Sequence, residues 1–363
     1  MTNNSSSPLL ETVPGATPPG DTDQHPTYMG VAWHYGNPLT EQRHCGTGAL
    51  VDRSHRTVIR VSGPDAATFL HNLLSQKLDD VPDGFSASAL NLDGQGRILH
   101  YLDVTKVGDA FYLDISAVDA ESFVDYLRAM VFWSKVEISV TDLGIISIIG
   151  AEVPDVGGEF SRQLPFGAWV RHDVFVPRGA LVDVAKRIIE QGIEPMGLMA
   201  YTAERVRAGL PERSLDLDDK SIPHEVPALI NRGERIAAVH LDKGCYRGQE
   251  TVARVENLGR APRLLTLVHL DGSAPTLPTP GTPIAMGPAA GKQRTVGRIG
   301  TVIHDHEFGP IALALLKRTA LTSQTLTAGE SAILVDPDFI PAEEQSHAGR
   351  AAINRLRGGQ ATQ

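Results

Sequence analysis

The feature that most constrains this fold is a change of texture near residue 262. Upstream, strand and helix patterns alternate; downstream, short apolar runs are separated by Gly and Pro. Residues 57–62 (TVIRVS) alternate like a strand. Gly63-Pro64-Asp65 then suits a helix start, and Phe69, Leu70, Leu73 and Leu74 follow at helical spacing. Residues 98–104 and 110–115 read as strands joined by a Gly108-Asp109 turn. A helix at about 118–131 presents Phe123, Leu127 and Met130, and 135–141 returns as a strand. The order then recurs. Strands are expected at 145–149 and 168–176, followed by a helix that Pro177 opens and Gly192 stops. Two related α+β units follow from this order, rather than a doubly wound parallel sheet. No Gly-x-Gly-x-x-Gly joins a strand to a helix, which argues against a dinucleotide fold. Downstream, LLTLVHL, TPIAMG, TVGRIGTVIH, PIALALLK and SAILVD read as a small antiparallel barrel, with the Pro-rich stretch 271–283 as a rim loop. Residues 1–27 lack apolar periodicity and are expected to be a disordered tail, and 343–363 a polar one.

Charge and cysteine usage narrow the function classes. Net charge is −10, from 33 basic and 43 acidic residues, which argues against general nucleic-acid or anionic-membrane binding. No apolar run reaches the roughly 18 residues of a membrane span, and no basic segment leads an apolar stretch at the N-terminus. Two distant cysteines, Cys45 and Cys245, make no disulfide framework and suit a reducing, cytoplasmic setting. They are too few to hold an iron–sulfur cluster permanently by the usual four thiolates, so no permanently bound metal is expected. His304 and His306 have a His-x-His spacing, but a strand-end or turn role is favoured for them.

The octapeptide KGCYRGQE (243–250) carries the most chemistry. Gly244 and Gly248 permit backbone conformations that other residues resist. Lys243 and Arg247 flank Cys245 and would favour its thiolate, the nucleophilic and metal-binding form. The plainer alternative is a small loop around a packed cysteine. Cys45, in QRHCGTGALVD, is expected to be structural.

The octapeptide resembles the K-G-C-Y-x-G-Q-E signature of the YgfZ-type folate-binding proteins, relatives of the T-protein (aminomethyltransferase) of the glycine cleavage system. Residues 46–74, 201–211 (YTAERVRAGLP) and 295–317 are also similar to T-protein segments. The resemblance implies an α+β ring of three units with ferredoxin-like α+β units, a C-terminal small antiparallel β-barrel and a tetrahydrofolate-sized central hole. It would place a split N-terminal unit at 28–142 and 201–260, a middle unit at 143–200 and the barrel at 261–342. It further implies bound tetrahydrofolate or a derivative, a role in iron–sulfur cluster assembly or repair, and iron–sulfur enzymes or assembly proteins as partners. Cys245 and Lys243 would be the working pair, with Asn91, Arg97, Tyr246, Gln249 and Arg254 as folate-binding residues. Arg260 is a second candidate for the acidic folate tail, and Gln249 and Glu250 could equally be loop anchors.

Departures from the T-protein pattern bear on the reaction. The acidic pair of T-proteins falls on Leu99 and His100, and their pterin-contacting glutamate on Arg207. Leucine cannot accept a proton, and arginine cannot accept the pterin N–H bonds. Cys245 stands where T-proteins have an aspartate. A folate-dependent aminomethyltransferase or demethylase remains the alternative; it would need a base such as Asp93 or Asp103. Asp93 itself reads better as a turn residue. A third reading is a scaffold that uses folate only to set its conformation.

Overall fold

A computed structural model describes residues 6–20, 26–152, 156–232, 236–287 and 293–341. Two five-stranded sheets and one closed barrel make up its β structure. The chain begins with two short helices, α1 (Leu9–Thr12) and α2 (Pro38–Glu41), then strand β1 (Ala49–Asp52). Next come β2 (Thr57–Ser62), α3 (Ala66–Leu73), β3 (Ser86–Leu92), β4 (Ile98–Val107), β5 (Ala110–Ile115), α4 (Ala117–Ala129) and β6 (Glu137–Val140). These strands form a sheet in the order β3-β4-β5-β2-β6. α4 buries Ala120, Phe123, Val124 and Leu127 at helical spacing against it.

The second sheet is built from β7 (Leu143–Ile149), β8 (Phe160–Phe166), β9 (Trp169–Pro177) and β10 (Glu194–Pro195). Its order is β10-β1-β7-β9-β8, so β1 crosses into it from the N-terminal part of the chain. The expected division at 142/143 therefore does not hold for residues 49–52, whose partner across Ala49–Asp52 is Ile146–Ile149. Helix α5 (Leu181–Ile189) covers this sheet with Leu181, Val184, Ala185 and Ile188.

Part of the expected N-terminal tail is ordered. Ser7 and Leu9 are buried, and Leu9 joins the core formed by α5 and its sheet. The segment also pairs through Thr17 with His34. Disorder was expected because the segment has few apolar residues; one well-placed leucine and a groove to receive it suffice. Residues 1–5, 21–25 and 342–363, which hold the rest of both expected tails, lie outside the described residues.

Helices α6 (Leu198–Arg207), α7 (Arg213–Asp216) and α8 (Gln249–Leu258) link the sheets to the barrel. The barrel strands are β11 (Arg263–Leu270), β12 (Pro283–Met286), β13 (Arg294–Asp305), β14 (Gly309–Lys317), β15 (Leu326–Ala328) and β16 (Ser331–Val335). They close in the order β11-β14-β13-β12-β15-β16, antiparallel throughout. The fold is thus the expected α+β architecture with a closed C-terminal barrel. α7 fastens the barrel: Asp216 accepts from Arg205 at 2.8 Å and from the Thr301 backbone N–H at 2.6 Å. Gly300 is required there, because a Cβ would lie 2.3 Å from Asp216 Oδ1.

Candidate functional site

The octapeptide forms a loop leading into α8, and every fixed point of that loop is a neighbour of Cys245. Helix α3 ends at Leu73 and leaves unpaired carbonyls, as any helix C-terminus does. Lys243 Nζ takes them up, donating to His71 O, to Leu74 O at 2.6 Å and to Gln76 O at 3.1 Å. The ammonium also sits 4.7 Å from the centre of the Tyr246 ring. Burial pushes the Lys243 ammonium down to about 7. Lys243 was expected to favour the Cys245 thiolate; its Nζ donates to three carbonyls at and just beyond the end of α3. Its role in this structure is to anchor the loop, for the physical reason that buried carbonyls need donors.

The other side of the loop is fastened by glycine. Gly248 caps α8 at φ +84°, and a Cβ on it would lie 2.6 Å from Asp93 O. Gly96, in the β3–β4 turn, approaches α8 equally closely at Thr251. Gln249 Oε1 accepts from the Tyr246 N–H at 3.1 Å, the anchoring role considered for it. Asp93 holds the facing turn by accepting from the N–H groups of Gln95 and Arg97 at 2.8 and 2.9 Å, which is the turn role read for it. Between these anchors Cys245 is exposed, as is Arg247.

The second cysteine is its opposite. Cys45 is buried, its thiol directed at Met196 Sδ 3.8 Å away, and burial pushes that thiol up to about 12.

A different assembly fills the space between the two sheets and α6. Asp173, fully buried, accepts from Ser147 Oγ at 2.5 Å, Arg53 at 3.2 Å, Arg162 Nε at 2.8 Å and Arg171 Nε at 3.0 Å. Asp114 pairs with Arg56 at 2.6 Å and Arg162 at 2.5 Å, and Asp103 with Arg171 at 2.6 Å. Burial would raise the Asp103 and Asp173 carboxyls, but the surrounding guanidinium groups win and hold both well below the usual carboxylate range. Four arginines thus share three aspartates, and Glu212, in the lining of the neighbouring cavity, adds a carboxyl that interacts with Arg56.

That network borders a central cavity. Tyr28, Tyr101, Phe166 and Tyr201 supply aromatic walls, and Arg53, Arg56, Arg171 and Arg205 supply cationic ones. His55, also in the lining, has a buried Nδ1 with no partner among the described residues. The void measures about 690 Å³ including its mouth, of which about 70 Å³ is roomy enough for water.

The candidate residues from sequence do not converge on this cavity. Asn91, Arg97, Tyr246, Gln249 and Arg254 are absent from its lining and belong to β3, the β3–β4 turn, the motif loop and α8. Asn91 is buried, with Oδ1 3.0 Å from His100 Nδ1 and an Nδ2 that has no partner among the described residues. His100 Nε2 meets Ser122 Oγ at 2.9 Å, and burial lowers the imidazole to about 4. His100 is therefore a neutral, structural side chain at neutral pH. Arg254 and Arg260 are exposed. Arg207 lies in a separate cleft, 3.0 Å from Glu307 and over the Phe308 ring. His306 occupies a turn beside Gln42, with Nδ1 3.0 Å from its Oε1, in keeping with the turn reading. The arginines and tyrosines of the cavity escaped sequence reasoning. Only the mixed Arg/Asp content of otherwise apolar strands such as VRHDVFV hinted at them.

Comparison with known proteins agrees with this architecture. No family model matches the chain. It is 26% identical over 319 residues to the mitochondrial iron–sulfur cluster assembly factor IBA57 homologue of Pyricularia oryzae, covering 79% of this chain and 76% of that one. It is 26% identical over 242 residues to the tRNA-modifying protein YgfZ of Edwardsiella ictaluri, covering 61% and 70%. Among solved structures, the glycine cleavage system aminomethyltransferase T of Bartonella henselae superposes with a TM-score of 0.71 at 17% identity, over 90% of this chain and 94% of that one. The chain shares the fold of that aminomethyltransferase. In sequence it is similar to proteins named YgfZ, IBA57 and aminomethyltransferase. No described helix is long and apolar enough to cross a membrane.

Proposed function

We propose that this protein is a folate-binding accessory factor in iron–sulfur cluster assembly or repair, with Cys245 as its working thiol. The observation that carries this reading is the exposure of Cys245 on a loop anchored on both sides. A thiol meant only for packing would resemble Cys45. The similarity to an iron–sulfur assembly factor and to a tRNA-modifying protein supports this process. Its partners would be iron–sulfur enzymes or assembly proteins, to which Cys245 lends one thiolate transiently. The net charge of −10 disfavours direct contact with tRNA.

The central cavity suits a reduced folate in chemistry. Its aromatic walls can stack a flat heteroaromatic ring, its guanidinium groups can meet an acidic or carbonyl group, and His55 Nδ1, buried and without a partner among the described residues, could be satisfied by a ligand once the lining moves. Its water-accessible 70 Å³ is below the ~300–1,000 Å³ typical of ligand pockets, so binding requires lining side chains to move apart. A bound folate would supply a one-carbon carrier; this chain's part is to hold and orient it. Asn91, Arg97, Tyr246, Gln249 and Arg254 would then act through the motif face, toward a part of the ligand or partner lying outside the cavity.

Aminomethyl transfer is the weaker reading. Asp103 is locked ionised among arginines, Asp93 is spent on its turn, and His100 is enclosed between Asn91 and Ser122. The deciding experiment is rescue of cells lacking the protein. Cys245→Ala at matched levels is expected to leave iron–sulfur enzyme activities unrestored while wild type restores them. Equal rescue by both would remove the thiol from the function. Glycine-cleavage activity with purified partner proteins would revive the transferase.

A further inference from the structure

The loop between α4 and β6 departs from the rules the rest of the surface obeys. Trp133 is 97% exposed and Phe132 78% exposed, side by side. Phe132 has φ +43°, and it is the only non-glycine with positive φ among the described residues. A bulky residue in that region is strained, and the strain must be held by its surroundings. Here Ser134 N–H donates to Val131 O at 2.8 Å, and Lys135 N–H to Asp65 Oδ2 at 2.7 Å. Gly63 admits the loop closely: a Cβ there would lie 2.3 Å from Lys135 O. The two rings are therefore held out by a fixed loop.

A groove lies between α4 and the Val140 end of β6, the end away from the aromatic loop. Ala120, Val124 and Val140 supply its apolar surface, and Glu121, Asp125 and Arg128 come from the same helix. It encloses about 200 Å³. From Ala120 to Arg128 the helix runs about 12 Å, close to the ~13 Å of a four-residue strand. β6 is the last strand of its sheet, and its outer edge has no partner strand among the described residues.

We propose that this surface docks an extended segment of a partner protein that carries alternating apolar and basic residues. The free edge of β6 offers a ladder that only an extended backbone can complete. Glu121 and Asp125, one helical turn apart on the exposed face of α4, select basic side chains. Trp133 and Phe132 stand on the loop that enters β6 at Glu137, so a strand paired along β6 would run from the groove toward them, with both rings already held in place before binding. This surface is built from residues apart from Cys245 and from the central cavity, so it stands whether or not the proposed function does.

The test uses the full chain and two synthetic proline-free peptides, one alternating Val with Lys and one alternating Val with Glu, followed by fluorescence anisotropy. The Val/Lys peptide is expected to bind saturably and at least tenfold more tightly than the Val/Glu peptide. Trp133→Ala, fully exposed and so harmless to folding, should weaken it at least tenfold, and Glu121→Lys should do the same. No saturable binding, equal binding of both peptides, or indifference to Trp133→Ala overturns the proposal. So does a wild-type dimer in sedimentation that Trp133→Ala abolishes, since a second copy would then be the occupant. In cells, a photo-crosslinker at position 133 should label one extended apolar-and-basic segment; labelling of lipid or of many unrelated proteins overturns it.

Discussion

The motif loop and the central cavity solve opposite problems. The loop must leave one reactive side chain in water, so its anchors are backbone carbonyls, glycines and one amide. The cavity must hold charge away from water, so its anchors are other charges. A local device can be written in eight consecutive residues. A charge network cannot, because each guanidinium needs a carboxylate that only folding brings near. Arg53 and Asp173 are 120 positions apart, and Arg171 and Asp103 are 68 apart.

The comparison breaks most easily at Asp173. Asp173→Asn leaves Arg53, Arg162 and Arg171 underpaired in the interior and should cost about 3–5 kcal/mol, read by urea unfolding. A loss below about 1 kcal/mol would mean that the arginines find water or other acceptors.

Next is acid sensitivity. Burial lowers His100 to about 4 from the 6.5 of a free imidazole, so the unfolded chain binds the extra proton between those limits. Its contribution should be complete above pH 6.5 and fall as pH drops toward 4, by up to about 3 kcal/mol. His100→Gln should reduce the acid slope and leave the share of His55, which burial also holds low. Asp103 and Asp173, held low, act in a separate window: their contribution is present above 3.8 and is lost as pH falls further. The two windows can be resolved by denaturation at stepped pH.

Gly248→Ala should cost about 1–3 kcal/mol, because φ +84° and the carbonyl of Asp93 both resist a Cβ. It should also loosen the loop and weaken rescue of iron–sulfur enzymes, a joint effect that Asp173→Asn would show only through unfolding.

The smallest expected change in stability is at the thiol. Cys245→Ala should lie within about 0.5 kcal/mol of wild type, as surface substitutions do. Iodoacetamide should alkylate Cys245 in the native protein and reach Cys45 only after unfolding. Native labelling of Cys45 would undo the division of labour between the two cysteines.

Much of the architecture was legible because it repeats locally. The Leu181, Val184, Ile188 spacing read as the helix it is, and the Gly108-Asp109 turn and most barrel strands fell where expected. Strands β1, β3, β8, β10 and β15 escaped notice, β3 because its small residues, Ser86-Ala87-Ser88-Ala89, alternate without contrast in bulk. The partners of Lys243 were out of sight for a related reason. Sequence places it two residues from Cys245, whereas the carbonyls it serves lie at and just after the end of α3, more than 160 positions earlier.

By itself, the sequence determined most of the segments that become strands and helices, where the barrel begins, and that a loop surrounds Cys245. Periodicity, turn chemistry and the rarity of cysteine are properties of neighbours in the chain. Tertiary structure alone decided that β1 joins the second sheet, that Leu9 is core, that Cys245 is exposed while Cys45 is not, and that four arginines and three aspartates meet between the sheets. Burial and long-range charge pairing depend on which surfaces meet. That is settled by packing, and no window of adjacent residues contains it.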